Sequence, residues 1–236
     1  MKVAILSDIH ANKYAFELVL KDLDRCGCEK VLVLGDLVGY YYWPKEIVSK
    51  IQSEDRFVAI KGNHEVLLER CINDSDFDNQ CYLKYGSGLR YCLTGLNESE
   101  LQWLFKLPTD RTVVVDGVNI AMHHGSDESV DEYIYPDTDS SRFRRVDRSV
   151  DYHCFGHTHY PMVINCRGVV LINPGSVGQP RDIGSLASYA IFNTENHSIV
   201  LRRVPYLSSD IREKSKHIDP HLPYLGDIQA RHNPYV

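Results

Sequence analysis

The sequence predicts an α/β chain in which two β-sheets pack on each other with helices outside. Three observations lead there. Apolar runs alternate with helix-period stretches from Lys2 to Ile60, strand-like runs dominate from Arg111 onward, and several runs end in short polar motifs. The first pattern implies parallel strands with helical crossovers, the second a hairpin-rich sheet. In open α/β sheets ligands gather beyond the carboxyl ends of strands, where these motifs fall.

Taken in order, Lys2-Val3-Ala4-Ile5-Leu6 reads as a first buried strand. Asn12 is a suitable N-cap for a helix carrying Phe16, Val19, Leu20 and Leu23 at helical spacing, and Gly27 ends it. Val31 to Leu34 is a second strand, Pro44 to Ile51 a helix with Pro at an early position, and Phe57 to Ile60 a third strand. His64 to Leu104 reads as mostly helical, interrupted at Asn73 to Asn79 and Gly86 to Gly88. Strands follow at Thr112 to Val115, Val118 to Met122, Tyr152 to Phe155, Met162 to Cys166, Val169 to Ile172, Ala187 to Phe192 and Ile199 to Val204. Asp116-Gly117 and Arg167-Gly168 are turn dipeptides between them. A single domain spanning 1–236 is expected, with 205–236 as a C-terminal extension that is either packed on it or partly mobile.

With 43% hydrophobic and 25% charged residues the composition is that of an ordinary globular chain. The net charge of -6 disfavours generic binding to a nucleic-acid backbone, although bound metal would reverse the field locally for a phosphorylated substrate. No apolar run approaches the roughly 20 residues that span a bilayer, and Val3 to Leu6 is too short for a signal core. Seven scattered cysteines without a C-x-x-C lead us to expect a cytoplasmic protein with reduced thiols, and no membrane partner.

The polar motifs are Ser7-Asp8-Ile9-His10, Gly35-Asp36, Gly62-Asn63-His64-Glu65, His123-His124-Gly125 and Gly156-His157-Thr158-His159. Carboxylate, amide and imidazole donors together suit Mn, Fe, Zn, Co or Ni better than a hard-ion site or a thiolate cage. His157 and His159 straddle one residue, so on an extended segment both would face one side.

In order and context these motifs resemble the calcineurin-like metallophosphoesterase superfamily, especially its small bacterial and archaeal members, over Ser7 to about Arg181. The resemblance implies a four-layer α-β-β-α sandwich of two mixed sheets flanked by helices, and a phosphoesterase with two divalent ions, manganese foremost. Asp8, His10 and His159 would hold one ion; Asn63, His124 and His157 the other; Asp36 would bridge both. A shared carboxylate is also what two cations about 3.5–4 Å apart require, and Asp36, alone after a strand and before Gly39, is the natural candidate. The family's ligand directly precedes Gly, which selects His124 and leaves His123 either to the core or to a place behind the ligands. His64 would lie by the leaving group as a catalytic residue rather than a ligand, and Glu65 would either orient it or cap the next helix. Hydroxide on the metals would attack phosphorus in line, with no covalent enzyme intermediate.

Asn173-Pro174-Gly175-Ser176, continuing to Arg181-Asp182, resembles the N-P-G-S loop of small family members. Arg181 would contact a phosphate oxygen, or else pair with Asp182 in a structural turn. Asn63, Arg181 and Tyr40 are the candidate substrate contacts. The Tyr40-Tyr41-Tyr42-Trp43 cluster offers rings for a nucleobase, a subunit interface in a homodimer, or cover for a helix start. Arg142, Arg144, Arg145 and Arg148 form either a solvated face or a substrate rim, and Asp74 to Asp78 lacks the Gly and Glu of a calcium loop. The expected substrate is a small phosphodiester or phosphomonoester, nucleotides included. Dinucleoside polyphosphate hydrolysis and protein Ser/Thr phosphatase activity are the alternatives, although Leu37-Val38-Gly39-Tyr40 lacks the phosphate-binding Arg found in those relatives. A non-enzymatic scaffold is disfavoured because every ligand position is filled.

Overall fold

The computed structural model describes residues 1–139, 142, 147–166 and 168–233. Its first sheet grows from β1 (Lys2–Leu6), α1 (Lys13–Arg25), β2 (Lys30–Val33), α2 (Pro44–Ser53) and β3 (Phe57–Ala59). The three strands are parallel, with Val3 opposite Lys30 and Val31 opposite Phe57. Four helices follow: α3 (Asn63–Cys71), α4 (Ser75–Tyr85), α5 (Gly88–Gly95) and α6 (Glu98–Lys106).

The second sheet holds β4 (Asp110–Val115), β5 (Val118–His123), β6 (Tyr152–Cys154), β7 (Met162–Cys166) and β8 (Val169–Asn173) in the order β4-β5-β6-β8-β7. The chain then returns to the first sheet as β9 (Leu186–Asn193) and β10 (Ser198–Pro205), antiparallel at its edge. Both sheets are mixed and five-stranded, and eight α-helices accompany them among the described residues, as the α/β reading expects.

Strand alternation assigns the two faces. Val3 and Ile5 of β1, with Leu32 and Leu34, meet Ile120, Met122, Cys154 and Ile172 between the sheets. Ala4 and Leu6, with Val31 and Val33, point the other way and meet Phe16, Val19, Leu23 and Ile47 of the helices. A smaller cluster of Ile134, Phe155, Met162, Val169 and Leu171 covers the far face of the second sheet.

Asn12 caps α1 by accepting the Ala15 N–H at 3.1 Å. The interruption expected at residues 73–79 is shorter than that: α4 already starts at Ser75, because Asp74 accepts the Phe77 N–H at 2.9 Å. Asp76 and Asp78 then lie in its first turn, where negative charge complements the helix dipole. The acidic run is thus a helix start.

The C-terminal segment packs as α7 (Ser209–Ile218), α8 (Tyr224–Asp227) and a 3-10 turn, Ile228–Ala230. It buries Ile211, Leu225 and Ile228, and it takes the Tyr41 hydroxyl on the Leu225 carbonyl (3.1 Å) and the Tyr42 hydroxyl on Asp219 (2.9 Å). Tyr41 and Tyr42 are therefore buried in the core, which removes them as nucleobase platforms and corrects that part of the cluster's reading. No helix among the described residues is long and apolar enough to cross a membrane.

Candidate metal centre and substrate pocket

The site assembles where β1, β2, β3, β5 and β6 end. The chain does not leave these strands smoothly: Asp8, His10, Asp36, His157 and His159 all have positive φ, between 49° and 63°. Such left-handed backbone costs an L-residue about 1–3 kcal/mol and gathers at functional sites where surrounding structure enforces it. Here the loops enforce it on each other. His10 N–H donates to the Asp36 carbonyl (2.9 Å), Asp8 N–H to Gly35 (3.2 Å), Gly156 N–H to His124 (2.8 Å) and Gly178 N–H to Asp8 (2.9 Å). The extended segment expected for His157 and His159 is corrected accordingly. Both residues are left-handed, so the ring of His157 joins Asp36 and His124 while that of His159 joins Asp8 and His10.

Three histidines are oriented by one device. The Nδ1 of His10 lies 3.2 Å from the Val38 carbonyl, that of His124 2.7 Å from Leu34, and that of His159 2.6 Å from Gln179. A carbonyl only accepts, so each Nδ1 carries a proton and each Nε2 is turned inward, where a neutral ring offers its lone pair. His10 Nε2 and His159 Nε2 then stand 3.1 Å apart, with Asp8 Oδ1 3.2 Å from the latter. His124 Nε2 faces Asn63 Oδ1 at 3.0 Å and Asp36 Oδ2 at 3.3 Å, while the same Asp36 oxygen is 3.7 Å from His10 Nε2. Asp36 thus stands between two nests of lone pairs. Asp8 Oδ1 and His157 Nε2 are buried without a hydrogen-bond partner.

Lone pairs converging at 3 Å in a buried space repel unless a cation sits among them, so this donor set fits metal. Asp8, His10 and His159 form one group that could hold an ion, and Asp36, His124 and His157 another; His10, Asp36 and His64 form a third. Titration points the same way. Burial alone would raise both carboxyls, but His159 holds Asp8, and His124 holds Asp36, well below the usual carboxylate range. Burial keeps His10 and His159 below the ordinary imidazole range and takes His157 down to about 4, leaving neutral rings able to ligate. His124 runs opposite: burial opposes its protonation, yet Asp36 pushes it up to about 10. A proton there does what a cation would do, neutralising the lone pairs that meet at Asp36.

Glu65 caps α3, accepting the Gly62 N–H at 2.6 Å, and it also accepts from Asp36 and Val38. Burial, and then the charge of Asp36, push its carboxyl up to about 7; a cation on Asp36 would relieve the second of these. The Asp36 carboxylate is itself fixed by the His64 N–H at 2.8 Å.

Beside the metal groups lies a pocket with Asn63, His64 and Arg181 on its walls and the rings of Tyr40, Tyr85 and Tyr133 around it. Gly39 makes room for His64: a Cβ there would fall 2.1 Å from its Nδ1. Arg181 does not pair with Asp182, which is buried and bound to Arg203 instead (Nη1 to Oδ1, 3.3 Å). Its Nε is buried without a partner, and no carboxylate pairs with it among the described residues. The Asn173 to Arg181 loop holds the site together: Ser176 Oγ donates to the Asp8 carbonyl, Asn173 Nδ2 to that of Gly156. Gly178 has no room for a side chain, since a Cβ would fall 1.9 Å from the Ile9 carbonyl oxygen.

His123 points away from the metal groups and stacks on His153 at 5.9 Å. Arg142 grips Glu132 through Nε (2.5 Å) and Nη2 (2.6 Å); Arg144 and Arg145 lie outside the described residues, as does Arg167 of the Arg167-Gly168 turn. Sequence reasoning missed Tyr85 and Tyr133. The first closes a helix whose spacing shows no reason to reach the site. The second stands in an irregular segment, nine residues after His124, where only the Tyr133-Ile134-Tyr135 alternation gave a signal.

A model of the calcineurin-like phosphoesterase superfamily domain matches residues 1–197. An uncharacterized protein of Methanocaldococcus jannaschii is 32% identical over 247 residues, covering 95% of this chain and 96% of that protein. The crystal structure of a metallophosphoesterase from Sphaerobacter thermophilus superposes with a TM-score of 0.75 at 27% identity, covering 97% of this chain and 100% of that one. A hypothetical protein from Pyrococcus horikoshii OT3 shares the fold with a TM-score of 0.81 at 21% identity, over 98% of each chain.

Proposed function

The chain belongs to the calcineurin-like phosphoesterase superfamily and is a metal-dependent phosphoester hydrolase; we propose that it cleaves a small phosphodiester or phosphomonoester at a dinuclear centre. The observation that carries this is Asp36 Oδ2, placed between His10 Nε2 at 3.7 Å and His124 Nε2 at 3.3 Å. Asp8, His10 and His159 would hold one ion, Asn63, His124 and His157 the second, and Asp36 would face both. Manganese suits the oxygen and imidazole donors, as do iron, zinc, cobalt and nickel. When bound, such ions supply an activated water and neutralise phosphate charge.

The chain's own groups do the rest. Arg181, unpaired with any described carboxylate, offers a guanidinium to a non-bridging phosphate oxygen. As the water oxygen joins phosphorus, the bond from phosphorus to the ester oxygen opens, and the proton that the water gives up ends on the leaving alkoxide. Burial holds His64 below the ordinary imidazole range, so a neutral ring with one N–H meets that alkoxide and stabilises it by hydrogen bonding. Tyr40, packed edge-on to His10 at 4.6 Å, limits what the pocket admits. The unbridged thiols of Cys26, Cys28, Cys71, Cys81, Cys92 and Cys154 support a reducing, cytoplasmic setting.

The test is hydrolysis of bis-p-nitrophenyl phosphate and p-nitrophenyl phosphate by purified protein with Mn²⁺, alongside metal analysis. Activity should vanish on chelation and in Asp36→Ala; activity that survives both overturns the mechanism.

A further inference from the structure

Resting on that reading, we propose that the substrate is a nucleotide whose base lies on an aromatic rim formed by Tyr133 and Tyr135 just outside the pocket. The Tyr133 ring packs on His157 with centroids 4.1 Å apart, so one side of it borders the metal group directly. Tyr135 continues outward, nearly parallel to Tyr133 (14°) at 5.9 Å, and Tyr160, which directly follows His159, stands a further 5.9 Å from Tyr135. The rings thus form a contiguous aromatic patch that begins at the metal group. Unlike Tyr41 and Tyr42, these are open: Tyr133 is 50% exposed and Tyr135 36%.

Their exposure is built in. Ile134, between them, is buried in the small cluster on the second sheet, so strand-like alternation turns both neighbours outward. The segment is fastened on each side of them: the Ser126 hydroxyl and Arg142 hold Glu132, and the Tyr135 N–H donates to Thr138 Oγ1 at 2.8 Å. Gly125 lets it fold back closely, since a Cβ there would fall 2.4 Å from the Ser129 carbonyl oxygen.

Charge completes the pattern. Arg181 lines the pocket, and Lys84 holds its Nζ 4.8 Å from the ring of Tyr85, which lines it too. A ligand that answers all of this has a phosphate at one end and a flat aromatic group at the other. A nucleoside phosphate has that form, and base-on-tyrosine stacking is indifferent to which base it carries.

The experiment compares AMP with ribose 5-phosphate, which differ only in the base, as competitors of bis-p-nitrophenyl phosphate hydrolysis by the Mn²⁺-loaded protein. AMP should compete about tenfold more strongly. Tyr135→Ala should abolish that advantage and Tyr135→Phe keep it. A calorimetric titration of both ligands in the presence of chelator gives the same ratio without turnover. Equal binding of the two ligands, or an advantage for AMP that survives Tyr133→Ala combined with Tyr135→Ala, overturns the inference. Hydrolysis of the generic ester with no preference for AMP would refute the nucleotide alone. No hydrolysis and no binding of either phosphate would refute the phosphoesterase reading beneath it.

Discussion

The Glu65 carboxylate accepts the backbone N–H of Asp36 at 2.9 Å while capping the helix that presents Asn63 and His64. A second oxygen takes the Val38 N–H at 3.1 Å. One buried side chain, with no place among the metal groups, thereby fixes the distance between the end of β2 and the start of α3.

Removing it should be costly. Glu65→Ala leaves three buried N–H groups unanswered at about 1–3 kcal/mol each. We expect a loss of at least about 3 kcal/mol in urea denaturation, together with weaker Mn²⁺ uptake, and a smaller loss for Glu65→Gln. An unchanged urea midpoint in the alanine variant would show that the clamp carries no weight.

His64 separates ligation from catalysis. Its ring lies close enough to His10 and Asp36 to be a ligand, yet the proposed role is at the leaving group. His64→Ala should keep its metal stoichiometry while turnover drops about 10²–10⁴-fold. Loss of an ion, measured by elemental analysis, would make His64 a ligand instead.

Gly39 tests the same ring from behind. Its φ is +90°, and an added Cβ would collide with His64 Nδ1. Gly39→Ala should lower turnover about 10²-fold by displacing that ring, since misplacement by about 1 Å has that effect. Metal content should be retained; wild-type turnover would mean that the imidazole position is unimportant.

Arg181→Ala should reduce kcat/KM about 10²-fold by removing charge stabilisation from the phosphate. Arg181→Lys should recover only part of this, because a single ammonium lacks the planar fork. Equal activity of all three proteins would return Arg181 to a structural role.

Acid should loosen the segment that carries the aromatic rim. The hydrogen bond from Arg142, and less so that from Ser126, hold the Glu132 carboxyl down to about 2 against burial. A depressed carboxyl contributes its full stability above the unfolded value near 4.3 and loses it as pH falls towards 2. The Tm difference between the wild type and Glu132→Gln should therefore be constant from pH 7 to about 5 and shrink below that. A difference that stays the same at pH 3 contradicts the pairing.

The sheets were legible because strand periodicity and turn residues are local. Val3 and Ile5 alternate with Ala4 and Leu6 whether or not the second sheet is known. The start of α4 was less legible: Asp74 and Ser75 suit a turn as well as a cap, and only the bond to Phe77 N–H decides. The left-handed backbone at His157 and His159 was hidden for another reason. It exists only because neighbouring loops hold it.

By itself the chain determined its chemistry. Asp8, His10, Asp36, Asn63, His124, His157 and His159 are donor types set at strand ends, and both properties are written within a few residues of each one. Tertiary structure alone decided which aromatic rings border the pocket. Tyr41 and Tyr42 stand beside Tyr40 in sequence, yet they are buried by a segment 184 residues away from Tyr41, while Tyr85 and Tyr133 reach the pocket from a helix end and an irregular loop. Donor identity is a property of a residue, but exposure is a property of everything packed around it.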